Sequence, residues 1–100
     1  MYIVLYTFNV KPNREKDFLK GWKGLTELIQ KHEGSLGSRL HIKKPLNYIA
    51  YAQWPSKTHF NASGNNLPNE ANTYRDLMRS SCENIKVLEK LEVVKDLLVK

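Results

Sequence analysis

The chain has 100 residues, of which 41% are hydrophobic and 26% charged, and its formal net charge is +6. These values are typical of one soluble globular domain with a single core, and the modest positive charge is ordinary for a solubilised surface. No apolar run approaches the roughly 20 residues of a membrane helix, and the apolar start is too short for a signal peptide. A single cysteine cannot form an internal disulfide, so we expect a cytoplasmic protein.

The chain begins with a predicted strand and a predicted helix. The segment YIVLYTFNV (2–10) is rich in β-branched and aromatic residues and is apolar on both faces. A helix follows, with Asn13 as the expected N-cap. Its apolar stripe at helical spacing consists of Phe18, Trp22, Leu25 and Ile29. Gly21 and Gly24 flank Trp22, which indicates close packing of the helix on a sheet or, alternatively, room for a ligand between the two.

Two more strands and two more helices are predicted in the middle of the chain. Gly34 is suited to end the first helix, and SLGSRLHIK (35–43) then predicts a second strand. The third strand, YIAYAQW (48–54), is again apolar on both faces. A short helix should begin at Ser56, and residues 70–82 predict a longer one.

The tail IKVLEKLEVVKDLLVK fits both helical spacing and strand alternation, and we predict a strand around Leu91 to Leu97. The order is then β-α-β-β-α-β, a ferredoxin-like α+β fold with a four-stranded antiparallel sheet. Helices in this topology cover one face of the sheet. Because two strands are apolar on both faces, we expect a second copy of the chain to cover the other face, which makes a homodimer.

Three segments carry a family resemblance: GSLGSRLHI, NYIAYAQWPSKTHF and LEVVKDLL. With them the chain resembles the antibiotic biosynthesis monooxygenase-like family of dimeric α/β-barrel proteins. The resemblance implies a single domain over residues 1–100 and supports a strand in the tail. It also implies, for some members, oxidation of small aromatic, quinol or polyketide-like compounds by molecular oxygen. In that chemistry the substrate is the reductant and no cofactor is bound.

The resemblance carries over to particular residues only in part. Polyketide oxidases of the family place an asparagine four residues before the strand tryptophan and a tyrosine six residues after it. The tryptophan is Trp54, but the other two positions hold Ala50 and Phe60. Positions used by the haem-degrading branch fall at Tyr6, Ser63 and Thr73, which lack the required residues, so haem is not expected.

The candidate site is built around Trp54. Two alanines on its strand face leave space that is either a pocket or is filled by helix side chains. His59 stands next to Phe60 and is either a replacement polar group or part of a solvated helix face. We predict Trp54 and His59 as catalytic candidates. The substrate-binding candidates are Tyr6, Trp22, Arg39, Ala50, Phe60 and Tyr74.

The sequence lacks the patterns of an RNA-binding domain and of a metal site. RNA-recognition domains share the order of elements, but LNYIAYAQW lacks their glycine and leading basic residue, so no nucleic-acid partner is expected. The three histidines show no metal-ligand spacing, and no metal is expected. Two hypotheses are left: a monooxygenase without a cofactor, and a non-catalytic, small-ligand-binding or stress-linked homodimer of the same fold.

Overall fold

The computed structural model describes residues 1–99, and the last residue of the predicted domain, Lys100, lies outside them. Four antiparallel strands form one sheet in the order β2-β3-β1-β4. This confirms the ferredoxin-like α+β fold, with one additional short helix. The elements are β1 (Tyr2–Val10), α1 (Glu15–Glu33), β2 (Gly37–Lys44), β3 (Asn47–Trp54), α2 (Lys57–Asn61), α3 (Glu70–Ser80) and β4 (Cys82–Glu92).

The two faces of the sheet follow from the register of β1 and β3. Tyr6 opposes Ala50 and Tyr2 opposes Trp54, so these side chains share one face, which packs against α1, α2 and α3. We call it the helix face. The opposite face, called the open face, carries the alternate residues of both strands. Those residues are Ile3, Leu5, Thr7, Asn9, Asn47, Ile49, Tyr51 and Gln53.

The start of α1 differs from the prediction. Asn13 has a left-handed backbone (φ 65°), a conformation that asparagine tolerates in turns, and Arg14 is the N-cap. The Arg14 Nε atom donates to the Asp17 carboxylate at 2.8 Å, within the first turn. The predicted end is confirmed, since Gly34 takes the left-handed C-cap position.

The two glycines of α1 face α3 rather than the sheet. A Cβ atom at Gly21 would lie 2.8 Å from both the Met78 amide nitrogen and the Tyr74 carbonyl oxygen. At Gly24 it would meet the Tyr74 ring. The glycines therefore allow close packing, as predicted, but the partner is the second long helix. This contact sets how closely α1 and α3 approach each other.

The last strand begins nine residues earlier than predicted. β4 runs from Cys82 directly after α3, whereas residues 93–97 lie beyond the strand. The reason is an irregularity opposite Leu5 and Tyr6, which pair with Glu89 and Val87 and leave Leu88 without a register partner. Because one extra residue reverses which positions face the helices, simple alternation in the tail could not locate the strand.

Candidate functional site

A cavity of about 180 Å³ lies between the helix face of the sheet and helices α1 and α3. Side chains from six helices and strands and from one connecting segment surround it, and most of them are apolar. The lining residues are Tyr6, Phe8, Trp22, Leu25, Thr26, Ile29, Ser35, Ser38, Ala50, Ala52, Trp54, Met78 and Ile85.

The cavity exists because small residues of β3 face large residues that pack elsewhere. Ala50 and Ala52 contribute only a methyl group each to the helix face. Phe18, which is fully buried, packs on Phe8 and Tyr48 with ring centroids 5.0 and 5.1 Å away. It therefore fills the space near that end of the sheet and leaves the space beside the alanines open.

Trp54 closes the cavity at the end of β3. The strand stops there because Pro55 follows, and the indole is 4% exposed. Its Nε1 atom is buried and has no hydrogen-bond partner within residues 1–99. A buried N–H without a partner costs about 1–3 kcal/mol. The indole N–H is thus a hydrogen-bond donor without an acceptor among the described protein atoms.

Tyr6 is the single ionisable side chain among the cavity-lining residues. Burial raises the pKa of the Tyr6 phenol above its ordinary value of 10.0. The phenol is therefore protonated at neutral pH, where it can donate a hydrogen bond but cannot act as a base.

The cavity brings together four of the eight predicted site residues. Tyr6 and Trp22 lie on β1 and α1, and Ala50 and Trp54 lie on β3. Their side chains line one space although up to 48 positions of sequence separate them. Their roles in binding or catalysis stay predictions.

Phe60 lies behind Trp54 and does not line the cavity. Its ring meets the indole edge-on at a centroid distance of 5.6 Å and lies 5.8 Å from the Tyr2 ring. The Lys90 ammonium stands over the Phe60 ring at 5.3 Å. Phe60 therefore supports the position of Trp54 from outside the cavity.

His59 is exposed on α2, away from the cavity lining. The Ser56 hydroxyl lies 2.8 Å from its Nδ1 atom and accepts a hydrogen bond from its backbone N–H at 3.2 Å, which confirms Ser56 as the cap of this helix. In this arrangement His59 belongs to a helix start, which is a structural role.

Arg39 and Tyr74 also lie outside the cavity lining. Arg39 is on β2 opposite Tyr51, so it belongs to the open face. The Tyr74 ring packs over Gly24 between α1 and α3. Neither side chain is placed to contact a ligand in the cavity.

Three hydroxyl-bearing residues of the cavity were missed from the sequence. Ser38 donates to the Tyr51 carbonyl at 3.1 Å, and Ser35 accepts from the Gly37 amide at 3.0 Å. Thr26 lies on α1, one residue after Leu25 of the apolar stripe. A signal for Ser38 was present, since it alternates with Leu36 and Leu40 on one strand face.

Cys82 is buried at the start of β4, with 7% of its surface exposed. Burial raises the pKa of its thiol from 9.0 to about 11, against a smaller lowering by the Lys11 charge. The thiol is therefore protonated at neutral pH and is not an activated nucleophile.

The Cys82 thiol predicts a pH-dependent loss of stability. Below pH 9 the thiol is protonated in both the folded and the unfolded protein. Between pH 9 and about pH 11 the unfolded chain loses this proton while the folded protein keeps it. The free energy of unfolding therefore falls as the pH rises through this range. Two pKa units correspond to about 2–3 kcal/mol. Urea unfolding of the wild type and Cys82→Ala between about pH 8 and about pH 11 measures this, because the variant should lack that part of the decline. An equal decline in both proteins would contradict the assignment.

Groups suited to hold a metal ion and helices suited to span a membrane are both absent from residues 1–99. No group of three or more His, Cys, Asp or Glu side chains is placed to hold a metal ion. Within the same part of the chain, no helix combines the length and apolar character needed to cross a membrane.

The fold and cavity define a ferredoxin-like α+β protein with an apolar space between sheet and helices. The family model for antibiotic biosynthesis monooxygenase matches residues 1–67, so the chain belongs to that family. No curated protein matches the chain.

Solved structures share the fold at low sequence identity. A candidate antibiotic biosynthesis monooxygenase from Caulobacter crescentus is 18% identical with a TM-score of 0.76, over 94% of this chain and 90% of that chain. SnoaB, a cofactor-independent oxygenase from Streptomyces nogalater, is 12% identical with a TM-score of 0.76, over 96% and 95%. A candidate monooxygenase from Deinococcus radiodurans is 10% identical with a TM-score of 0.75, over 100% and 99%.

Proposed function

We propose that the protein is a homodimeric monooxygenase that oxidises a small phenol or quinol with molecular oxygen and needs no bound cofactor. The observation that carries this proposal is the apolar cavity beside Trp54, whose buried indole N–H has no hydrogen-bond partner within residues 1–99. Family membership supports the reaction class, and the residues of the cavity support the kind of substrate.

The size of the cavity favours a substrate with one aromatic ring. A cavity of about 150 Å³ lined by apolar side chains binds benzene. The cavity beside Trp54 is slightly larger, at about 180 Å³. It suits a single substituted ring better than the several fused rings of a polyketide, and its apolar walls favour a ring over a sugar or an amino acid.

Two side chains that line the cavity, Trp54 and Tyr6, carry the hydrogen-bond donors that would hold an oxygen atom of that ring. The Trp54 Nε1–H is buried without a partner, and burial raises the Tyr6 pKa so that its O–H stays protonated. Donors in a site with little water stabilise a negative oxygen more strongly than donors in solution. A phenolate oxygen is the form of the substrate that would gain most from them.

The cavity offers no base that works at neutral pH, because Tyr6 is its one ionisable side chain and is protonated there. The substrate must therefore ionise through its own acidity, which the two donors increase by stabilising the anion. Phenols and quinols meet this requirement. Their ionised rings are also electron-rich enough to reduce oxygen.

The reaction balances with oxygen as the only co-substrate. The ionised quinol passes one electron to O₂, and the substrate radical and superoxide join through a new carbon–oxygen bond. The resulting peroxide takes up a proton; its O–O bond then breaks as the ring carbon loses its hydrogen as a proton. The product is a hydroxyquinone, and the second oxygen atom leaves as water. All four electrons come from the quinol.

A solved structure of similar fold supports this proposal by analogy. SnoaB has the described architecture over nearly its whole length and is a cofactor-independent oxygenase. At 12% identity this likeness establishes the fold alone, so the reaction of the present chain depends on its own cavity residues.

One observation favours the alternative of a binding protein without catalysis. The positions that carry polar groups in the family's polyketide oxidases hold Ala50 and Phe60, and Phe60 lies outside the cavity lining. A protein that binds an aromatic ligand needs the cavity but not those polar groups. Oxygen consumption separates the two functions.

The homodimer is supported by apolar surface that the monomer leaves accessible. Leu5, Ile49 and Tyr51 lie on the open face and are partly exposed. In the segment after β4, Val94 and Leu97 are 97% and 83% exposed. Apolar surface of this extent on a small domain marks an interaction site. A second copy that packs its open face on the first would cover it.

Oxygen uptake with a panel of quinols, naphthols and anthrones tests the proposed reaction. We expect a one-ring quinol such as methylhydroquinone to be oxidised faster than a three-ring anthrone. Trp54→Phe keeps an aromatic ring but removes the N–H, and should lower the rate roughly 100-fold, the effect of removing one oxyanion donor.

The matched control is Trp22→Phe, which makes the same change on another wall of the cavity and should alter the rate only a few-fold. Binding of methylhydroquinone without any oxygen uptake would favour the binding protein. An unchanged rate in Trp54→Phe would reject the role of the indole N–H.

A further inference from the structure

A groove of about 370 Å³ between α3 and β4 adjoins the cavity. Its walls include Arg75 and Arg79, which are one turn apart on α3 and which sequence position alone assigns to ordinary surface charge. Leu25, Met78 and Ile85 line both the groove and the cavity. These three apolar side chains therefore border both spaces, and the two arginines border the groove alone.

Neither arginine is neutralised by an ion pair. In residues 1–99 the salt bridges join Arg14 to Asp17 and Lys23 to Glu27. Arg75 donates from Nη1 to the Asn72 side-chain oxygen at 3.2 Å. A guanidinium group has five N–H donors, so most donors of both arginines are available to a ligand.

The charges that line the groove favour an anion. The lining contains two arginines and one acidic residue, Glu83, so its charged side chains add up to a net charge of +1. The cavity lining, by contrast, contains no Asp, Glu, Lys, Arg or His. A ligand that extends past Leu25, Met78 and Ile85 would place an apolar ring in the cavity and an ionised group in the groove.

We propose that the ligand is a one-ring phenol or quinol that carries a carboxylate, and that Arg75 and Arg79 bind this carboxylate. The inference rests on the proposed function, which puts an aromatic ring in the cavity. Guanidinium groups pair with carboxylates through two parallel hydrogen bonds, a geometry that neutral polar groups do not match. Arg75 and Arg79 would then determine specificity without contacting the reacting ring.

Binding of two isosteric probes tests this selectivity. 2,5-Dihydroxyphenylacetate and 2,5-dihydroxyphenylacetamide share the quinol ring and differ in charge, and calorimetry under nitrogen measures their affinity without oxidation. We expect the carboxylate to bind the wild type about tenfold more tightly, and added salt to reduce this preference. The preference should vanish in Arg75→Gln/Arg79→Gln. Lys16→Gln/Lys20→Gln, an equal loss of two charges at exposed positions of α1, should retain it.

The outcomes separate this inference from the proposed function. Equal affinity of the wild type for both probes, or a preference that survives in the double glutamine variant, would overturn the role of the arginines. Oxidation of the amide in either case would leave the proposed reaction standing. A carboxylate preference that requires the arginines, without oxygen uptake by either quinol, would support the inference and reject the oxidation.

Discussion

Ala52→Leu is expected to abolish binding of one-ring phenols and quinols while it preserves or increases the stability of the fold. The Ala52 methyl group lines the cavity beside Trp54, and leucine adds three carbon atoms at that point. The larger side chain would occupy the space that the ligand ring needs. We expect the affinity for methylhydroquinone to fall at least 100-fold, which corresponds to about 3 kcal/mol.

Stability should change in the opposite direction because the new carbon atoms fill an apolar cavity. Burial of three methylene-sized groups contributes at most about 2 kcal/mol, and imperfect fit in a packed core reduces that gain. Calorimetric titration and urea unfolding of the same variant measure both effects. A cavity of purely structural origin would show the gain in stability but no loss of binding.

Two variants sharpen this test. Ala62→Leu makes the same chemical change at an exposed position outside the cavity and should leave both quantities unchanged. Ala52→Val adds less volume and should give an intermediate loss of affinity. Methylhydroquinone binding of wild-type strength in Ala52→Leu would show that the ligand does not occupy the cavity.

The walls of this cavity were partly predictable from the sequence because β3 is regular. Period-two alternation puts Ala50 and Trp54 on one face of the strand, and Pro55 fixes where it ends. The empty space itself was not predictable. It depends on how the helices pack on the sheet and on each other, and Gly21 contributes by letting α1 approach the backbone of α3 closely. Contacts between helices distant in sequence leave no local pattern.

Site residues predicted from their chemical type lie outside the cavity more often than residues predicted from the strand or helix face that they share. His59 and Tyr74 were selected because they can donate protons or hydrogen bonds, yet the structure commits His59 to a helix cap and packs Tyr74 on Gly24. Sequence alone does not fix the rotation of a short helix such as α2. Arg75 shows the converse. Its spacing on α3 is typical of surface charge, yet it lines the groove that adjoins the cavity.

The fold was predicted better than the position of its last strand. Three strands follow clear patterns of β-branched and aromatic residues bounded by turns, and they were located within two residues. In β4 the extra residue at Leu88 shifts the apolar positions from one face to the other. The exposed valines and leucines after Glu92 match the apolar–polar alternation of a strand more closely than the residues of β4 do, so the strand was predicted too far along the chain.

Leu5→Lys is expected to convert the proposed homodimer into a folded monomer. Leu5 lies on the open face in the central strand β1, opposite Tyr51 of β3 and Glu89 of β4. In the monomer its side chain is partly exposed, so a lysine there can extend its ammonium group into water. In a dimer with sheet packed on sheet, two symmetry-related lysines would be buried.

The expected weakening is large because burial of an ion at the interface costs several kcal/mol, which the neighbouring Glu89 offsets only in part. A net loss of about 4 kcal/mol corresponds to roughly a 1,000-fold higher dissociation constant. Sedimentation velocity gives the mass of the particle, and circular dichroism checks that the monomer is folded. Leu19→Lys provides the matched control, since Leu19 is exposed on α1, away from the open face. A wild-type chain that sediments as a monomer, or a Leu5→Lys dimer of undiminished stability, would refute packing through the open face.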